Sequence, residues 1–230
     1  MADSDNQERA DRILDAASKL IVHYGYDKTT VSDIANEAGV SKGAIYLHWK
    51  SKDEVLEALI FRESDRLVED MLARIEADPD AGTIFSLYQY AIVTTIANPL
   101  IHAVMTQDVR VLGDFTRRWI RANGGRAEEG NLFRDEMVKQ LQEANVIRAD
   151  LDAQMISYIM GLIRYGFLTV HDIIPPENTP PLQEVGKTLG LLLEKALEPE
   201  GGGDKEAGRQ VLIQTLENLR ELVRQFKEKR

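Results

Sequence analysis

The stretch TTVSDIANEAGVSKGAIYLHWKSK, residues 29–52, decides how the chain is read. Thr30 stands three residues before Asp33, an [ST]-x-x-[DE] box that starts a helix by satisfying two of its exposed backbone amides. Gly39 ends that helix, because a residue without Cβ enters the left-handed region at little cost. Ser41 is placed to cap a second helix over Lys42–Trp49, and Ser51 with Glu54 forms a further box for the helix that follows. Three starts and one glycine stop within about 25 residues punctuate a helix-turn-helix, whose second helix enters the major groove of DNA.

Working outward, Ile13, Leu14, Ala17, Leu20 and Ile21 fall on one face of a helix over about 9–24 that Gly25 ends. Residues 1–8 read as disordered. The first helix is expected to cover Val31, Ile34, Ala35 and Ala38, with Ile45 and Trp49 closing this core from the short second helix. From Ser51 no breaker occurs until Asp78-Pro79, so one helix connects head and body. Beyond Pro79 every strong segment has helical period, with helices expected at 81–97, 99–112, 114–122, 130–145, 150–173, 181–198 and 206–228. Asp150 is the natural cap of the 150–173 helix. In the last segment Leu212, Leu216, Leu219, Val223 and Phe226 form a short heptad seam that folds back on the body or across a dimer. The fold class is all-α.

Composition bounds the function. The 230 residues contain no cysteine, which excludes disulfides and thiolate metal sites. The acidic, polar start is unlike a secretory signal, and no apolar run approaches the roughly 18–20 residues that span a bilayer, so a cytoplasmic location is expected. The net charge of −10 is unevenly spread. Residues 28–52 hold four lysines against Asp33 and Glu37, a net of +2, and the rest of the chain carries −12. A basic head on an acidic body remains compatible with a polyanionic partner, since salt screens charges beyond about 8–10 Å. The four histidines (23, 48, 102 and 171) show no metal-binding spacing, and no nucleophile elbow or phosphate loop occurs. Neither catalytic residues, metal nor cofactor are expected.

The residues Thr30, Asp33, Ile34, Ala35, Ala38, Gly39, Val40, Ser41, Gly43, Tyr46, Trp49, Ser51, Lys52, Asp53 and Val55-Leu56 resemble the head of the TetR family of transcriptional regulators. Beyond residue 60 the resemblance is one of architecture only. It implies a three-helix DNA-binding head at 9–56 and a helical effector-binding and dimerisation body at 57–199. A glycine-rich linker at 200–208 and an additional amphipathic helix at 209–230 would follow.

Each matched position suggests a contact. Thr30 and Ser41 sit at helix N-termini, where hydroxyls and unpaired amides hold phosphate oxygens. Tyr46 and His48 are placed for the duplex backbone, and Lys52 as a point charge for phosphate. Lys42 is the candidate for guanine O6/N7, Gly43 and Ala44 let the helix approach base edges, and Leu47 suits a thymine methyl. The plainer readings are a half-buried Tyr46, a solvated His48 and a Thr30 that only caps.

The resemblance also implies a small-molecule pocket in the body. Its candidate lining is Tyr88, His102, Met105, Trp119, Phe133, Met137, Tyr158, Arg164, Tyr165 and His171, with Phe85 and Phe167 near them. Such residues more often form ordinary core. Arg164 and His171 interrupt an otherwise apolar helix, and a buried charge there needs a partner. The apolar segments 150–173 and 181–198 have more than one face to bury, and Gly161, Gly166, Gly186 and Gly190 would admit a two-fold mate. A monomeric core is the alternative.

The function implied is a homodimeric repressor that binds a palindromic operator in double-stranded DNA and is released by a small-molecule effector. Activation in place of repression fits the same residues. A helical interaction protein that has lost DNA binding, and a helical enzyme, are the competing classes.

Overall fold

The computed structural model describes residues 2–116, 118 and 126–228, without the side chains of 2–4, 87, 126–133, 171–172, 176, 182–183 and 226–228. The helices are α1 (Ala2–Tyr24), α2 (Val31–Ala38), α3 (Lys42–His48), α4 (Lys52–Ala77), α5 (Ile84–Ala97), α6 (Pro99–Thr106) and α7 (Val109–Leu112). They are followed by α8 (Arg126–Glu143), α9 (Ala153–Ile173), α10 (Leu182–Leu197) and α11 (Lys205–Glu228). The architecture is all-α.

The N-terminus departs from expectation, because α1 already includes residues 2–8. Asp5 and Glu8 suit the positive end of the helix dipole, and Gln7 Nε2 donates to Asp11 at 3.3 Å one turn on. The predicted 99–112 helix is broken at Gln107, which takes φ 56° to close α6, while Asp108 accepts the Arg110 amide and opens α7. The cap of α9 is Asp152, whose carboxylate accepts the Met155 amide at 2.8 Å; Asp150 instead pairs with Arg148 at 2.7 Å. In the box at Ser51, Glu54 donates its amide to Ser51 Oγ but accepts from the Lys50 amide, one residue earlier than expected.

Two compact units form. One comprises residues 1–65, 98–123 and 226–230, the other 66–97 and 124–225. The core of the first is built by Ile13, Ala17, Ile21, Tyr26, Ile34, Ile45, Val55, Leu56 and Leu59, with Trp49 partly buried against it. Leu100, Ala103, Leu112 and Phe115 also belong to this cluster, although the sequence placed them in the body. Arg62 ties α4 to α1 by donating to the Asp11 carbonyl at 3.1 Å and pairing with Asp15 at 2.8 Å. The adjacent Glu63 accepts from Asn98 Nδ2 at 2.8 Å, and the same asparagine caps α6.

The second unit encloses Val68, Met71, Ile75, Ile84, Tyr88, Val138, Leu141, Ile156, Met160, Leu193, Leu212 and Leu216. Helix α11 is therefore part of this core, folded back on the body as one of the two expected arrangements. Its helix begins at Lys205, where Asp204 accepts the Ala207 amide at 2.9 Å, so 205–208 are helix and not linker. Lys205–Asp80 at 2.7 Å and Arg220–Glu69 at 2.6 Å hold its two ends. Gly208 lies so close to the Gly82 carbonyl that a Cβ there would collide with it. Among the described residues no single helix is long and apolar enough to cross a membrane.

Candidate nucleic-acid interface

The α2–α3 unit is fixed by its caps. Thr30 Oγ1 accepts the Asp33 amide at 3.2 Å, and the Asp33 carboxylate accepts the Thr30 amide at 2.9 Å and hydroxyl at 2.6 Å. These bonds hold the Asp33 carboxyl below its usual range. Gly39 closes α2 at φ 67°. Ser41 Oγ accepts the Ala44 amide at 3.1 Å, and Ser41 itself is exposed. Seven residues then form α3, and among Lys42–His48 only Ile45 is buried.

Four of the other six residues of α3, Lys42, Gly43, Tyr46 and Leu47, are turned to solvent. Lys42 and Gly43 are exposed, and Lys42 Nζ lies 6.0 Å from the ring centre of Tyr46, one turn on. Tyr46 is 48% and Leu47 82% exposed, the latter a high value for a leucine on so small a head. Ala44 is half-buried, and the His48 ring packs 5.1 Å from Trp49. The structure thus brings Thr30, Ser41, Lys42, Gly43, Ala44, Tyr46, Leu47 and His48 onto one capped two-helix unit. A cation, a phenol, an apolar tip and an imidazole on a short exposed helix form the kind of set that reads groove edges and phosphates.

Lys52 differs from the point charge expected of it. Its ammonium donates to the Tyr26 carbonyl at 2.7 Å and the Thr29 carbonyl at 2.8 Å, and sits 3.9 Å above the Tyr26 ring. Burial lowers its pKa, with Asp27 and Asp53 opposing. Two of its three N–H groups therefore close the α1–α2 turn, and one is left to reach outward. The Tyr26 hydroxyl donates to Asp53, which also pairs with Arg118 at 3.0 Å. Burial and that carboxylate both push the Tyr26 phenol up. The Tyr26 amide donates to the Val111 carbonyl at 2.8 Å, so the turn that carries Thr30 is bonded to α7.

The effector candidates are dispersed. Tyr88 is buried in the core of the second unit, whereas His102 and Met105 on α6 belong to the first. Met137 lines a groove with Gln140, Thr215 and Leu222. Tyr158, Arg164 and Tyr165 share a different groove of ≈ 290 Å³ with Arg134, Asp135, Gln154, Gly161 and Leu162. Arg134 was not a sequence candidate. Trp119 and the side chains of Phe133 and His171 lie outside the described residues. Among the described residues no three His, Asp or Glu side chains are grouped to hold a metal ion.

Residues 13–59 match the model of the bacterial regulatory proteins of the tetR family. A helix-turn-helix-type transcriptional repressor of Mycobacterium tuberculosis is 28% identical over 172 residues, 70% of this chain and 80% of that protein. The fatty acid metabolism regulator protein of Bacillus subtilis is 32% identical over 96 residues, 42% of this chain and 50% of that one. The solved structure of the transcriptional regulator FadR from Bacillus subtilis, in complex with stearoyl-CoA, shares the fold. It has a TM-score of 0.59 and 21% identity, and the match covers 79% of this chain and 96% of that one. The matched segment carries the whole capped unit just described, and residues 13–59 are a DNA-binding head of the kind found in the regulatory proteins of the TetR family.

Proposed function

We propose that this regulator is a homodimeric repressor that reads a palindromic operator through α3 and is released by a small molecule held in its second unit. The observation that carries the reading is the exposed α3 face of Lys42, Tyr46 and Leu47, with the half-buried His48 at its end, on a head whose core needs only Ile45 from that helix. Lys42 is assigned to a guanine edge and Leu47 to a thymine methyl. Ser41, Tyr46, His48 and the remaining N–H of Lys52 are assigned to phosphates, with Thr30 primarily a cap.

Dimerisation is supported by an apolar stripe that one subunit leaves in water. Met155 and Ile159 on α9 and Leu191 and Leu192 on α10 are all exposed. Gly161, Gly166 and Gly186 have open space beside them, which suits close approach of a two-fold mate. Gly190 does not serve this purpose, because it packs against the Phe85 ring of its own chain. Two heads about one helical turn (~34–36 Å) apart would meet successive major grooves. The effector is expected to act by binding more tightly to a state whose heads no longer fit one duplex. The stearoyl-CoA held by the Bacillus subtilis neighbour supports a small-molecule ligand here.

The test is Lys42→Ala on a selected operator. Discrimination at one position of each half-site should fall by ~1–3 kcal/mol while affinity for generic duplex changes little. Uniform loss over all sequences would remove Lys42 from the base-reading role.

A further inference from the structure

The second unit carries an unusual charge arrangement that the repressor reading does not use. Residues outside 28–52 sum to −12, yet among the described residues the ≈ 290 Å³ groove between α8 and α9 is lined by two arginines, Arg134 and Arg164, against one acid, Asp135. Arg164 lies on the half-buried side of α9, between the buried Ile156 and Met160 register and Leu168. Its electrostatic neighbours are Arg134, a like charge, and Tyr88, a phenol from the core. Burial, followed by Arg134, lowers the pKa of Arg164, and burial pushes Tyr88 up to about 12. Among the described residues no carboxylate is paired with Arg164.

A guanidinium held in this way is costly, because burial removes water without supplying an opposite charge. An oxyanion entering the groove would supply it. Guanidinium forks match carboxylate and phosphate oxygens in pairs, which makes two arginines lining one groove a selective receptor for such a group. The rest of the groove is suited to carbon, with Tyr158, Leu162 and Tyr165 on α9 presenting rings and an aliphatic tip.

We propose that the effector of this regulator is a small organic anion whose carboxylate or phosphate is held by Arg164 with Arg134, its apolar portion lying along Tyr158, Leu162 and Tyr165. This rests on the reading of the second unit as the effector-binding part, and it names the ligand class.

The experiment titrates the full chain with a panel of aryl and short alkyl carboxylates, the matching phosphate monoesters, and their uncharged amides and alcohols. Wild type, Arg164→Met, Arg164→Lys and Arg134→Met are compared by calorimetry, with thermal melting to establish that each is folded. The expected result is saturable binding of at least one anionic series, at least ~10-fold tighter than its neutral counterparts. Arg164→Met should erase that preference, Arg164→Lys should keep part of it, and Arg134→Met should reduce it. Whether the carboxylates or the phosphates bind identifies the source of the oxyanion.

Equal affinity for neutral and charged members in the wild type, no binding of any anion, or unchanged anion binding in Arg164→Met would each overturn the proposal. So would a shift in the monomer–dimer equilibrium of Arg164→Met without anion binding, since the counter-charge would then come from a second subunit. DNA release separates this proposal from the one it rests on. An anion bound through Arg164 that leaves operator affinity unchanged keeps the site and removes its effector role. A neutral compound that releases DNA equally from wild type and Arg164→Met does the reverse.

Discussion

Replacing Lys52 by methionine separates two roles that one lysine could play at the edge of the head. A lysine that only touches phosphate would leave the free protein as stable as before. The geometry requires otherwise, since the ammonium satisfies the Tyr26 and Thr29 carbonyls at 2.7 and 2.8 Å and covers the Tyr26 ring. Hydrogen bonds to a charged group contribute about 1.5–3 kcal/mol each. The lower end applies here, because the ammonium is partly solvated and its lowered pKa marks incomplete compensation for burial. A loss of ~2 kcal/mol follows, equivalent to roughly 4–8 °C in the melting of a chain this size. Fluorescence of Trp49, in a Trp119→Phe background, follows the head directly in the absence of DNA. Affinity for all duplexes should fall together, because the turn that carries Thr30 loosens. An unchanged melting temperature, with a salt slope reduced by about one phosphate contact, would return Lys52 to the role the sequence suggested and refute this reasoning.

Other consequences are as direct. The Asp33 carboxyl is held below its usual 3.8 by Thr30, so its contribution to α2 is complete above that value and is lost as pH falls through the lower folded value. Amide exchange in α2 should quicken as pH falls below about 4 beyond the intrinsic change, and Asp33→Asn should show no such dependence. Gly25→Ala places a Cβ 2.5 Å from the Arg110 carbonyl at φ +86°, which should cost at least ~2 kcal/mol in head stability by thermal melting. Leu192→Asp puts a charge in the exposed stripe and should shift the full chain to monomer in sedimentation, with its melting changed little.

How much of this was legible from sequence depends on the range of the interaction. The α2–α3 unit was readable because its determinants are local, with Thr30, Asp33, Gly39 and Ser41 each acting within four residues. Helical period also identified Ile34 and Ile45 as core. That same period tells which face of a helix is buried but not what covers it, so Leu100, Leu112 and Phe115 were assigned to the wrong unit. The break at Gln107 escaped because its left-handed cap uses no glycine. Lys52 escaped as an organiser because the carbonyls it holds lie 26 and 23 residues away in sequence. Arg164 stood out as a charge in an apolar helix. Arg134, in a helix rich in charge, acquires meaning only where the fold sets it opposite Arg164.

The central claim, that the exposed face of α3 reads DNA as one of a symmetric pair, is tested most directly by selecting a binding site for the full chain from random duplexes. Affinity for the winner should then be measured against salt. The account predicts a palindrome with half-site centres about 10–10.5 base pairs or a multiple apart, and an affinity that falls steeply with salt. No enriched sequence, or binding that is flat in salt, would contradict it.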